Sequence, residues 1–153
     1  MIRNLQVVSE RLEGTAENKA KLKLWLRLLS CTLRLENIIA ARFREQFDTT
    51  LPRFDVMAAL DRVPDGLTMG ELSKWLMVSN GNVTGVVSRL VEDSLVERRA
   101  GVNDRRVQHV RLTPEGQRQF RLMAAAHEAW IDELFRGLSA RDISDLTKQL
   151  GKV

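Results

Sequence analysis

Glycines and short polar side chains share residues 79–90, SNGNVTGVVSRL, with a stripe of apolar residues. Val83, Val87 and Leu90 recur at the spacing of a helix that is buried along one side. The other side carries glycines, short hydrogen-bonding groups and one cation, namely Ser79, Asn80, Gly81, Asn82, Thr84, Gly85, Ser88 and Arg89. Each glycine costs a helix interior about 1 kcal/mol relative to alanine. A helix face with such small side chains can approach a flat polar partner closely and form hydrogen bonds with it.

A basic segment follows this helix. The span from 98 to 111 holds Arg98, Arg99, Arg105, Arg106 and Arg111, against the single acid Asp104. The whole chain of 153 residues has a formal charge of only +4, so the excess of positive charge is concentrated beside the unusual helix. Clustered arginines bind phosphate oxygens, which favours a nucleic acid as the flat partner.

Helices are expected on both sides of these two segments, with a hairpin between the fourth and the fifth. Two helices are predicted before the capping box, at 21–47 and from Leu51-Pro52 through Asp61. Two short helices follow, one starting at the Thr68–Glu71 capping box and one at the N-cap Ser79, and then β-rich runs at 95–101 and 107–113 joined by a polar turn at 102–106. The last two helices run from Thr113-Pro114 to Gly137 and onward from Ser139. The fold class is therefore mainly α with a small β-hairpin wing. It is a winged helix-turn-helix with long N- and C-terminal dimerisation helices.

The long terminal helices are expected to form a homodimer. Residues 21–47 contain no Gly or Pro and carry apolar side chains on more than one face, so this helix needs two neighbours. Burial within a monomer is the alternative interpretation. The domain prediction is an N-terminal arm at 1–20, dimerisation helices at 21–48 and 114–153, and a DNA-binding lobe at 49–113. In the last helix Ile143, Leu146 and Leu150 are expected to face inward.

Several of these motifs together resemble the MarR family of bacterial transcription regulators. The matching stretches are Glu71-Leu72-Ser73 through Val78-Ser79, then NVTGVVSRLVEDSLVERR, then Asp104-Arg105-Arg106 followed by VRLTPEG. The resemblance implies an obligate homodimer on an inverted-repeat operator of double-stranded DNA, with the 79–90 helix in the major groove. It also implies that Arg106 reaches the minor groove, that Asp104 orients it, and that Arg105 contacts backbone phosphate.

A finer resemblance concerns the effector. The stretches TTLPRFDVMAAL and LMVSNGNVTG are similar to regulators of aromatic-acid catabolism, including those released from DNA by hydroxycinnamoyl-type CoA thioesters. The family's ligand cleft, between dimerisation helices and DNA-binding lobe, would draw here on Trp25, Phe43, Arg53, Phe54, Met57, His127 and Trp130. Arg53 and His127 could neutralise a carboxylate or donate to a thioester carbonyl. Each of the seven residues also has an ordinary interpretation as core or interface.

Two alternative functions remain open. One is a thiol-based redox-sensing regulator that uses Cys31. Against it, the neighbouring leucines predict a buried and inert thiol, and the chain has no tyrosine to partner the cysteine as in the redox-sensing branch of the family. The other is a protein-interaction module that does not bind DNA. Either alternative would keep the predicted fold and change the partner or the signal.

Composition argues against other classes of protein. The single cysteine and the two histidines, His109 and His127, offer no catalytic constellation and no set of metal ligands, so we expect neither an enzyme nor a metal or other cofactor. No apolar run approaches the roughly 20 residues that cross a bilayer, and the N-terminus does not resemble a secretion signal. The expected location is the cytoplasm, without a membrane partner.

Overall fold

A computed structural model describes residues 15–100 and 108–153 and shows a mostly helical chain with a small sheet. Its elements are α1 (Ala16–Phe47), α2 (Leu51–Asp61), β1 (Leu67–Thr68), α3 (Met69–Leu76), α4 (Asn80–Glu92), β2 (Val96–Ala100), β3 (Gln108–Leu112), α5 (Pro114–Phe135) and α6 (Ala140–Leu150). This order confirms the predicted fold class. Most of the expected arm and the tip of the expected wing, with Asp104, Arg105 and Arg106, lie outside the described residues.

The chain divides into two compact units, Met1–Arg42 and Phe43–Val153. In the first unit α1 begins at Ala16, so the predicted boundary between arm and helix after residue 20 is wrong. The early start has a local cause. The Thr15 hydroxyl accepts a 3.3 Å hydrogen bond from the Asn18 amide, and Glu17 pairs with Lys21 one turn later at 2.7 Å. An N-cap and an i,i+4 ion pair each favour helix formation.

The second unit contains an antiparallel sheet with the strand order β1-β3-β2. The hairpin of β2 and β3 places Val96 opposite Leu112 and Glu97 opposite Arg111, and it confirms the predicted wing strands. The additional strand β1 was not predicted, because two residues are too short to show a period of two. Its Leu67 pairs with Val110, and both side chains are buried.

The core of the second unit is built around α2, which packs against α3, α4, α5 and β3. Its apolar members come from every element of the lobe and include Val56, Met57, Leu60, Leu72, Val83, Val87, Leu90, Val96, Val110 and Met123. Burying a side chain of this size contributes about 1.5–3 kcal/mol to folding. This packing fixes α4 along one side and leaves its other side at the surface.

The predicted helix caps are present on both sides of the helix-turn-helix. Thr68 and Glu71 form the capping box at the start of α3. At the start of α5 the Thr113 hydroxyl accepts a 2.9 Å hydrogen bond from the Gly116 amide. The same hydroxyl lies 2.8 Å from the carbonyl oxygen of Ser94, to which it donates. Thr113 therefore ties the first turn of α5 to the segment that leaves α4.

Helix α6 departs from its prediction. Its apolar residues Ile143, Leu146 and Leu150 are exposed rather than inward-facing. The stripe was correctly identified as amphipathic, but periodicity does not say what covers the apolar face. Within the part of a single chain that the structure describes, this face is not buried.

Candidate nucleic-acid interface

Helix α4 presents the bare face that its sequence predicts. Val83, Val87 and Leu90 are each at most 1% exposed and hold the helix to the lobe. The opposite side is at the surface, and its exposed members are Gly81, Asn82, Thr84, Gly85 and Arg89. A Cβ atom added at Gly81 or at Gly85 would meet nothing within 4 Å, so the backbone is open to a close partner at both positions. The side chain of Asn80 lies outside the described set.

Two serines of the predicted DNA-binding set have distinct surroundings. Ser79 occupies the N-cap position with an extended backbone, φ −65° and ψ 148°, but its side chain makes no capping hydrogen bond. Ser88 is half-buried, and its hydroxyl oxygen accepts a 3.3 Å hydrogen bond from Nη2 of Arg98 on β2. From the sequence Arg98 was expected to contribute only its charge, whereas in the structure its side chain joins the wing to α4.

The described wing strands are less basic than the arginine count suggested. Glu97 precedes the counted span, and its Oε1 accepts hydrogen bonds from Nε of Arg111 at 2.6 Å and from Nε of Arg99 at 2.9 Å. The bond from Arg111, assisted by the charge of Arg99, holds the pKa of Glu97 below its ordinary value. Glu97 thus stays ionised at neutral pH and offsets part of the positive charge. The predicted excess of positive charge beside α4 is therefore smaller than the arginines indicate, because Glu97 lies one residue before the span from 98 to 111.

The C-terminal end of α4 is held at two places. Asp93 is its C-cap residue, and the Asp93 amide donates to the carbonyls of Arg89 and Val91. The Asp93 carboxylate forms an ion pair with the guanidinium of Arg53 on α2. Ser94 follows in the left-handed region at φ 58°, and Thr113 holds its carbonyl as described above. The contact between Arg53 and Asp93 was not predicted, because forty residues separate the partners.

Five of the seven residues predicted to bind a ligand pack together inside the second unit. The ring of Phe43 has its centroid 4.6 Å from Phe54, 5.0 Å from Trp130 and 6.0 Å from His127. Phe43 and Met57 are fully buried. Burial also lowers the pKa of the His127 imidazole below its ordinary value of 6.5. For these residues the structure agrees with the ordinary core interpretation, while their contact with a ligand stays a prediction.

The other two residues lie elsewhere. Trp25 belongs to the first unit, where its side chain is 59% exposed. Arg53 lines a cavity of about 370 Å³ within the second unit, together with Phe47, Asp48, Thr49, Asp93, Leu95, Glu115, Gln119 and Met123. The Arg53 side chain is only 18% exposed, and its Nε atom is buried without a hydrogen-bond partner. A buried donor without a partner costs about 1–3 kcal/mol, so Arg53 is held in an incompletely satisfied state.

Three further expectations concern cysteine, metals and membranes. Cys31 is exposed in the single chain, so the prediction that its leucine neighbours bury it is wrong. Across residues 15–100 and 108–153, no three His, Cys, Asp or Glu side chains group as metal ligands would. Over the same ranges, no helix has the length and apolar character needed to cross a membrane.

Known proteins are similar to this chain in sequence and in fold. The MarR family profile matches residues 47–107. The crystal structure of a MarR family transcriptional regulator from Silicibacter pomeroyi superposes with a TM-score of 0.79 at 32% identity, over 91% of this chain and 96% of that one. Streptococcus pneumoniae FabT, in a crystal structure in complex with DNA, superposes with a TM-score of 0.72 at 26% identity, over 85% of this chain and 92% of that one.

A curated relative adds sequence similarity along nearly the full chain. The transcriptional activatory protein BadR of Rhodopseudomonas palustris is 29% identical over 146 residues, which are 92% of this chain and 83% of BadR. The identity and coverage shared with the Silicibacter structure, together with the profile match across the helix-turn-helix, establish the relationship. This chain therefore belongs to the MarR family of transcriptional regulators.

Proposed function

We propose that the protein is a homodimeric repressor of a catabolic operon, and that an aromatic acid or its CoA thioester releases it from an inverted-repeat operator. The observation that carries the DNA part is the exposed glycine and polar face of α4, held outward by three buried side chains. Asn82 and Thr84 on this face would bond to base edges, while Gly81 and Gly85 let the helix backbone approach the groove floor.

The wing would contribute the second contact. Arg98 on β2 donates a hydrogen bond to Ser88 on α4, and this bond beside the proposed recognition face supports a phosphate contact by Arg98. Arg106, Asp104 and Arg105 lie outside the described residues, and they keep the roles that the family resemblance implies: Arg106 in the minor groove, Asp104 orienting it and Arg105 on backbone phosphate. A regulator of this kind binds mainly through phosphate contacts, and its affinity therefore falls steeply with salt.

Dimerisation is supported by apolar side chains that one chain leaves at the surface. They occur near both ends of the sequence, in α1, α5 and α6, and include Leu24, Trp25, Leu33, Leu122, Ile143, Leu146 and Leu150. On α6, Ile143, Leu146 and Leu150 form an apolar stripe that stays exposed in a single chain, as expected of a face that packs against a partner. A two-fold dimer would read half-sites whose centres lie about 10 bp apart. Sedimentation at micromolar concentration should therefore give about twice the 17.4 kDa of one chain, and a monomer would contradict this part of the proposal.

The effector part rests on the cavity beside Arg53. It combines apolar walls from Phe47, Leu95 and Met123 with one arginine, a combination suited to an aromatic ring that carries a polar end. The effector must bind the DNA-incompetent arrangement more tightly than the competent one, because tight binding alone shifts no equilibrium. Mobility shifts on a selected operator, with the free acid and the thioester added separately, test this directly. Unchanged DNA affinity with both would reject it.

The direction of regulation has its own test. BadR is named as an activatory protein, so activation is the competing outcome for this chain. In vitro transcription from a promoter that carries the selected operator should decrease when the protein is added and recover with the effector. An increase in transcript on adding the protein would show that it activates.

A redox signal is the second candidate, favoured by the exposure of Cys31. Peroxide should then lower operator affinity in the wild type and have no effect in Cys31→Ser. If aromatic ligands are inactive and this peroxide pattern is observed, the redox alternative replaces the aromatic effector.

A further inference from the structure

The ion pair of Arg53 and Asp93 links a cavity to α4, the helix proposed to contact DNA. Asp93 caps the C-terminus of α4, and Arg53 extends from α2 along the cavity wall. The two partners are unequal, because the Arg53 side chain is 18% exposed and the Asp93 side chain 53% exposed. Arg53 thus has little access to water, and Asp93 is its charged partner there. Separating them would leave the arginine nearly buried without a counter-ion, which is strongly unfavourable.

The pair uses only part of the guanidinium. Nη2 of Arg53 donates to Oδ2 of Asp93, while Nε is buried with no acceptor. A carboxylate that approached the guanidinium from its Nε and Nη2 side would satisfy both donors with two parallel hydrogen bonds. Asp93 bonds to Nη2 alone and leaves Nε without an acceptor. A ligand carboxylate would therefore compete with Asp93 and remove the unsatisfied donor.

Two further carboxylates, Asp48 and Glu115, line the cavity, and among the described residues the ion pair of Arg53 is with Asp93. The Glu115 carboxylate already accepts bonds from Arg118 at 2.6 and 2.9 Å and from Gln119 at 3.0 Å. Those bonds, with Arg118 as the largest cause, hold the pKa of Glu115 below its ordinary value. Glu115 is thus occupied and does not claim Arg53. Arg53 is the cationic side chain among the described residues of the cavity wall.

We propose that the Arg53–Asp93 ion pair positions the C-terminal end of α4 for DNA binding, and that a carboxylate ligand in the adjacent cavity weakens DNA binding by taking Arg53 from Asp93. The first half concerns DNA binding alone, whereas the ligand half rests on the proposed aromatic effector. Losing the pair should act like adding the ligand. In both cases α4 keeps its anchor at Thr113 but loses the one at Asp93.

The first test is Asp93→Asn, which keeps the size of the side chain and removes its charge. Operator affinity without ligand should fall by about fivefold or more, the lower end of common coupling between linked sites. The control is Asp65→Asn, which makes the same change at an exposed acid in the loop before β1 and should bind the operator like the wild type. Circular dichroism and sedimentation confirm that each variant is folded and has the wild-type oligomeric state. A folded Asp93→Asn with wild-type affinity would overturn the proposal.

Arg53→Lys is the second variant. Lysine keeps a positive charge opposite Asp93 but lacks the paired Nε and Nη2 donors of the guanidinium. It should retain operator binding within about twofold of the wild type if charge pairing positions α4. A folded Arg53→Lys that binds DNA as weakly as Asp93→Asn would contradict the positioning role. Should Asp93→Asn fail to fold, Asp93→Ser is measured in its place with the same expectation.

Calorimetry with benzoate and its neutral analogue benzamide tests the ligand half. Removing the competing carboxylate should make benzoate bind Asp93→Asn several times more tightly than the wild type, while benzamide binds both equally. Benzoate that binds the variant no better, or binds neither protein, would reject the ligand half. A different result would reject the proposed effector function alone. In that case no aromatic acid or thioester releases the wild type from its operator, although Asp93→Asn still binds DNA weakly.

Discussion

Glu97 on β2 stands directly opposite Arg111 on β3, and its carboxylate accepts a 2.6 Å hydrogen bond from the arginine Nε. The same carboxylate oxygen holds Arg99 at 2.9 Å. Two cations of the wing strands are thus partly neutralised by an acid on the strand itself. These bonds fix the positions of both arginines and lower the net positive charge of the wing strands.

Glu97→Gln should therefore increase nonspecific DNA affinity. The substitution leaves Arg99 and Arg111 without their counter-ion, so both become available to phosphates. The slope of log affinity against log salt should steepen by about one to two units. Glu128→Gln on α5 makes the same charge change away from the hairpin and should leave the slope nearly unchanged. Equal slopes for both variants would show that only the net charge matters.

Gly85→Leu should abolish operator binding while leaving the fold intact. Leucine is the better helix former, and a Cβ at this position meets no atom within 4 Å. The added bulk would hold α4 away from the groove. Circular dichroism melting checks the fold, and mobility shift checks binding. Wild-type affinity with this side chain present would show that another face of α4 meets DNA.

Unlike Gly85→Leu, Gly116→Ala should lower the stability of the fold. A Cβ at Gly116 would lie 1.9 Å from the Leu95 carbonyl oxygen, so α5 or the start of β2 must move. Overpacking of this kind typically costs about 1–3 kcal/mol. The free energy of unfolding from urea titration measures it, with Gly70→Ala as the control because its added Cβ meets nothing within 4 Å. Equal stability of the two variants would contradict the close packing described here.

His127 should make the protein less stable in mild acid. Burial lowers its folded-state pKa below 6.5, so the unfolded chain binds the proton more readily. The stabilisation is present above about pH 6.5 and is lost as the pH falls below that value. His127→Phe keeps an aromatic ring against Phe54 and should flatten the dependence of melting temperature on pH between 5 and 7.5. An unchanged pH profile in the variant would mean that other groups cause the dependence.

Local patterns predicted most of this fold, since its elements are specified by nearby residues. The period of α4, the Thr68–Glu71 cap and the alternation in the hairpin each depend on residues a few positions apart. The predicted start of α1 is too late, because Thr15 caps the helix and the Glu17–Lys21 ion pair supports its first turns. The short strand β1 has too few residues to leave a pattern.

Contacts between distant residues could not be predicted in the same way. The Arg53–Asp93 pair and the Ser88–Arg98 bond join different elements, and sequence spacing gives no information about either. The same limit explains α6 and Cys31. An apolar neighbourhood in sequence predicted burial, but within the described residues of one chain these side chains remain exposed. The aromatic residues around Phe43 were identified as a group, and the structure shows them packed in the core.

Binding of the full chain to duplexes selected from a random pool, repeated across a salt series, tests sequence-specific DNA recognition most directly. We expect enrichment of an inverted repeat with half-site centres about 10 bp apart, bound by the wild type and not by Gly85→Leu. The logarithm of the affinity should fall linearly with the logarithm of the salt concentration. Selection that enriches no common sequence, with binding that is weak and insensitive to salt, would show that this chain does not recognise DNA by sequence.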